Sequence, residues 1–122
     1  MQRVLIIDDD EQMRALLRDI LEQAGYEVTD ACDGVAGLSR FRAQPSDLVI
    51  TDLIMPGKEG VETILELRRE FPTLPIVAIS GGGRNASRDY LDIAIRLGAR
   101  LTVAKPFTRQ EILEAVRLSL AA

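Results

Sequence analysis

A chain of 122 residues, 47% hydrophobic and 28% charged, carries enough apolar material for one core and does not have a disordered composition. Its net charge of −4, from 15 basic and 19 acidic residues, disfavours direct binding to nucleic acid or to an anionic membrane. The apolar run before Asp8 is too short for a signal-peptide core and no stretch reaches the roughly 20 apolar residues of a membrane span, so a cytoplasmic protein without membrane insertion is expected.

The chain alternates strand and helix five times. Residues 4–7 form a buried-strand run, and Met13, Leu16, Leu17, Ile20, Leu21 and Ala24 follow at helical spacing until Gly25 stops the helix. Residues 27–31 make a second strand whose polarity suits a sheet edge. A helix follows with Val35, Leu38 and Phe41 on one face, closed before Pro45. Cys32, behind that strand, is a small residue in the core or at the rim, and being alone it cannot form an internal disulfide. Residues 47–51 are the third strand; beyond Pro56 and Gly57 a helix carries Val61, Ile64, Leu65 and Leu67 toward Phe71. Residues 75–79 are the fourth strand. Gly81, Gly82 and Gly83 then open a loop, with no lysine behind them to make a phosphate-cradling P-loop. A helix with Leu91, Ile93, Ala94 and Leu97 stops at Gly98. Residues 101–104 are the fifth strand, and Thr108 with Glu111 forms a capping box opening a last helix that buries Ile112, Val116 and Leu120.

Nearly uniform apolar strands separated by amphipathic helices predict a doubly wound α/β fold, a five-stranded parallel sheet covered on both faces. A strand order of 2-1-3-4-5 puts the first and third strands side by side at the topological switch point, where ligands bind. A single domain over residues 1–122, without an appended output domain, is expected.

Chemistry then converges on the C-terminal edge of the sheet. Asp8 and Asp9 follow the first strand, Asp52 the third, Ser80 the fourth and Lys105 the fifth. Clustered carboxylates need a cation or a proton to coexist, and oxygen ligands from two adjacent strand ends, a backbone carbonyl and waters suit magnesium. A metal there also makes sense of Asp52 as a nucleophile toward a phosphoryl group: the cation offsets anionic repulsion while the Lys105 ammonium and the Ser80 hydroxyl hold the remaining oxygens. With no histidine in the chain, the commonest general base and metal ligand is missing. Asp10, immediately before the first helix, reads as its N-cap, and Arg84 and Arg88 as a solvated helix face.

These residues carry a resemblance. The segments Val4 to Asp10, Ile50 to Gly57, Val77 to Ser80 and Val103 to Phe107, in this order and each at a predicted strand end, are similar to the receiver domains of bacterial two-component response regulators, including single-domain chemotaxis regulators. The resemblance implies a flavodoxin-like (βα)5 receiver fold. It implies that Asp52 accepts a phosphoryl group from a phosphohistidine on a sensor histidine kinase or histidine phosphotransferase, then switches contacts with an output partner. Asp9 and Asp52 would bind magnesium directly, Asp8 through water, and the backbone carbonyl of Ile54 would complete the set. Such a chain is a self-phosphorylating switch with slow auto-dephosphorylation rather than an ordinary enzyme, and its Lys105-Pro106 bond is expected to be cis.

Two features depart from the family pattern. Thr102 stands three residues before Lys105, where many receivers carry an aromatic switch residue, and the segment from Ser80 to Lys105 is a few residues longer, with the surplus near Gly81 to Ser87. Activation is therefore expected to order residues 81–90 through Ser80. Two alternatives stand beside this reading. In a haloacid-dehalogenase-like phosphatase, Asp8 would be the nucleophile and Asp10 the general acid, but that chemistry needs an acidic pair beyond the lysine, where only Glu111 and Glu114 remain, both in the predicted last helix. The other is a receiver-like binding module that is never phosphorylated.

Overall fold

In the computed structural model, which describes residues 1–53, 60–80 and 92–121, five parallel strands alternate with helices. The order is β1 (Arg3–Ile7), α1 (Glu11–Gln23), β2 (Glu27–Ala31), α2 (Gly34–Ala43), β3 (Leu48–Asp52), α3 (Gly60–Glu70), β4 (Ile76–Ser80), α4 (residues 92–97), β5 (Leu101–Ala104) and α5 (Arg109–Ala121). The strands lie in the order β2-β1-β3-β4-β5, as the alternation predicts, with the more polar β2 at one edge.

Period-two alternation along the buried strands divides the core between the two faces. Val4, Ile6, Leu48, Ile50, Val77 and Ile79 pack beneath α1 and α5, against Leu17, Leu21, Ile112 and Val116. Leu5, Ile7, Val49, Ile76 and Ala78 face the other way, toward Leu38 and Phe41 of α2, Ile64 and Leu67 of α3 and Ala94 of α4. Each fully buried Leu or Ile contributes roughly 1.5–3 kcal/mol, which makes this two-sided burial the main support of the sheet.

The helix stops are those expected. Gly25 and Gly98 adopt φ of 96° and 120°. At each, the next residue donates back to the start of the last turn, Tyr26 to Leu21 at 3.0 Å and Ala99 to Ala94 at 2.8 Å, which closes the helix. Asp10 caps α1 by accepting from the amides of Gln12 and Met13, and Thr108 and Glu111 exchange the two bonds of a capping box. Lys105-Pro106 is cis.

Several expectations need correction. β3 and β4 each start and end one residue later than 47–51 and 75–79. Pro75 has no amide hydrogen to enter the ladder, and Asp47 is used at the strand entrance, its carboxylate accepting from the Arg3 amide at 2.7 Å. Asp52 and Ser80 are thus the last residues of their strands, not the first beyond them. Val35 is 64% exposed, because α2 approaches the sheet through Gly37, whose missing side chain leaves room for Ile7. Ile93 is exposed, and in α5 Ser119 is buried while Leu120 is only half-buried. Cys32 is exposed, which leaves the rim of the two positions considered for it. Among the described residues, no helix is long and apolar enough to cross a membrane.

Candidate functional site

Strand register assembles the site. Ile7 pairs with Thr51, so the residues that follow them, Asp8 and Asp52, lie side by side; Ser80 pairs with Ala104, which brings Lys105 up beside it. The amide of Lys105 donates to the carbonyl of Ser80 at 2.9 Å, and that of Leu53 to Ile79 at 2.9 Å, so the ladder continues through the site. Residues as far as 97 positions apart in sequence thereby share one edge of the sheet, with Asp8 and Asp52 buried and Asp9 exposed.

Carboxylate oxygens of Asp8, Asp9 and Asp52 all lie within 4.8 Å of one another. Lys105 Nζ donates to Asp52 at 2.9 Å and reaches Asp8 at 3.4 Å. Burial pushes the Asp8 carboxyl above its usual range, despite the Asp10 amide and the Lys105 charge that pull the other way. Burial also works against the Lys105 ammonium, but its hydrogen bond and charge pairing with Asp52, then Asp8, outweigh this and hold it above the ordinary lysine value. Ser80 is fully buried and, among the described residues, its hydroxyl has no hydrogen-bond partner. An orphaned buried hydroxyl costs about 1–3 kcal/mol, a cost that persists where a further oxygen is to be bound.

Donor chemistry therefore fits a small, hard divalent cation: an all-oxygen set from two strand ends, partly buried, with an exposed member open to solvent. The structure brings together Asp8, Asp9, Asp52, Ser80 and Lys105 as the sequence predicts. Ile54, the glycine-rich loop, Arg84 and Arg88 lie outside the described residues, as does the expected ordering of residues 81–90. Thr102 is half-buried on β5 and faces a groove shared with Ala115 and Leu118 of α5. Glu111 is committed to its cap and Glu114 to Arg117, at 2.6 Å, so neither supplies the second acidic pair that the phosphatase alternative requires.

Two residues at the site had escaped the sequence reading. Arg14 Nη1 donates to the backbone carbonyl of Asp8 at 2.8 Å. Gly60 opens α3 against the end of β3, its amide donating to Leu53 at 3.1 Å, and a Cβ there would overlap the carbonyl oxygen of Asp52 and the Cα of Leu53. The available signal was a glycine eight residues after the acidic strand end, immediately before an apolar helical face. Gly60→Ala is expected to destabilise the fold by about 2 kcal/mol or more, since the overlap is with backbone that cannot rotate away. Urea unfolding monitored by circular dichroism checks this, and an unchanged midpoint would contradict the close approach.

The model of the response regulator receiver domain matches residues 4–117, and the chain belongs to that family. It is 34% identical over 116 residues to the chemotaxis protein CheY of Thermotoga maritima, covering 94% of each chain. It is 32% identical over 120 residues to the transcriptional regulatory protein CpxR of Escherichia coli, covering 98% of this chain and 50% of that one. It thus spans nearly all of the chemotaxis relative and about half of the transcriptional one. A receiver domain protein from Clostridium thermocellum superposes with a TM-score of 0.91 at 28% identity, covering 99% and 95% of the two chains. The family is one of signalling switches. Receiver domains work with histidine kinases and output domains and bind magnesium at an acidic pocket.

Proposed function

We propose that Asp52 is the phosphoacceptor and that residues 1–122 act as one magnesium-dependent receiver unit in the cytoplasm. The observation that carries this reading is the meeting of three carboxylates within 4.8 Å of one another beside a lysine 2.9 Å from Asp52. In the proposed step a carboxylate oxygen of Asp52 attacks the phosphorus of a phosphohistidine on a sensor histidine kinase or histidine phosphotransferase. The P–N bond breaks as the P–O bond forms, and the departing imidazole takes up a proton. Magnesium, held by Asp9, Asp52 and the backbone carbonyl of Ile54, with Asp8 acting through water, would neutralise charge on the transferring group. Lys105 exchanges its bond to Asp52 for a phosphoryl oxygen, and the Ser80 hydroxyl, without a partner among the described residues, donates to a second. Water later hydrolyses the acyl phosphate slowly, which resets the switch and its contacts with the output partner.

Incubation with acetyl phosphate and magnesium is expected to add the mass of one phosphoryl group, and a chelator to prevent it. Intact-mass spectrometry reads both. No gain under any small phosphodonor would favour the unphosphorylated binding module.

A further inference from the structure

We propose that Arg14 is a positioning residue for the metal site, fixing the backbone from which Asp9 projects; this rests on the reading of the acidic cluster as a magnesium site. Asp9 is the exposed member of the cluster, and among the described residues its carboxylate makes no hydrogen bond or ion pair. Its direction is set by the backbone leading into it. That backbone is gripped on both sides of Asp8: the Asp8 amide donates to Ala31 of β2 at 3.1 Å, and the Asp8 carbonyl accepts from Arg14 at 2.8 Å. The carbonyl belongs to the peptide plane joining Asp8 to Asp9, so holding it limits the rotation that would swing Asp9 away from Asp8 and Asp52. The Asp8 side chain adds a local brace, accepting from the Asp10 amide at 2.9 Å.

The location of Arg14 is electrostatically unfavourable on two counts. It lies near the N-terminal, positive end of α1, and it carries a cation beside a site meant for one. Nor does α1 depend on it: Asp10 caps the helix, and Leu17, Ile20 and Leu21 anchor it. An arginine so placed acts chiefly through the carbonyl it holds.

The two effects have opposite signs, which makes the role measurable. Through space, removing the charge of Arg14 strengthens magnesium binding; through loss of positioning, it weakens it. Magnesium titration of the full chain, followed by the NMR amide signals of Asp9 and Asp10, is expected to show affinity about tenfold weaker in Arg14→Ala, within the roughly 10–100-fold cost of losing a group that orients a metal ligand. Circular dichroism melting without metal should stay near that of the unsubstituted protein. Arg14→Lys, whose ammonium can donate to the same carbonyl, is expected to recover most of the affinity. Equal or tighter binding in Arg14→Ala, or no recovery in Arg14→Lys, overturns the role of Arg14. Absence of saturable binding in the unsubstituted protein overturns the metal reading itself.

Discussion

Asp52→Asn is expected to abolish phosphorylation altogether. The amide keeps the shape of the side chain but loses the ionised oxygen that attacks phosphorus, and no neighbour replaces it: Asp8 is buried at the end of β1 with its carboxyl held above its usual range, and Asp9 projects from the turn beyond. With acetyl phosphate and magnesium, the substituted protein should show no gain of a phosphoryl mass, whereas the unsubstituted protein gains one that hydroxylamine removes. Full labelling of Asp52→Asn, with loss in Asp8→Asn, would move the nucleophile to β1 and refute the assignment.

Lys105→Met should produce the second large effect, on stability. Lys105→Met removes the ammonium that lies 2.9 Å from Asp52 and 3.4 Å from Asp8, where the two carboxylates meet at the strand ends. Breaking a fully buried pair costs roughly 3–5 kcal/mol; the Lys105 side chain is 19% exposed, so about 2 kcal/mol is expected at neutral pH in the presence of a chelator. The pH dependence has a definite sign. Asp8 has a folded-state value raised above its ordinary 3.8, so its contribution favours the fold fully below 3.8 and is lost as pH rises through the raised value. Losing the ammonium lifts Asp8 further, so the deficit of Lys105→Met should shrink on acidification. Lys105, also raised, contributes stability below 10.5 that is lost as pH climbs through its folded-state value, so the deficit should shrink at strongly alkaline pH too. Urea unfolding across pH checks both limbs. A deficit that widens on mild acidification would count against the pairing.

Much of this was legible in the sequence for a physical reason. Buried parallel strands leave uninterrupted apolar runs, and the residue type changes abruptly at Asp8, Asp52, Ser80 and Lys105 because the apolar core gives way there to a polar site. Strand order followed from the crossover rules, and that order alone makes these residues neighbours. Other features were hidden because they are made by what is absent or by backbone. Gly37 and Gly60 matter through the side chains they lack, and a search for apolar periodicity skips them, choosing Val35 instead. Arg14 acts on a carbonyl, which carries no residue identity. Its one signal was a basic residue near the start of a helix, where acidic residues are the electrostatically favoured choice.

The ladder running through the site has a mechanical consequence. Asp52 and Ser80 end adjacent strands, and Lys105 is bonded by its own amide to the carbonyl of Ser80. Their spacing is inherited from the separation of about 4.8 Å between neighbouring strands rather than from a hinge or loop. A sheet is stiff in that direction, so the backbone positions that carry the nucleophile, the hydroxyl and the ammonium keep their spacing wherever the sheet is folded. Heat or denaturant should therefore extinguish phosphorylation in one step with the melting of the sheet, leaving no temperature range in which a folded protein has lost its chemistry.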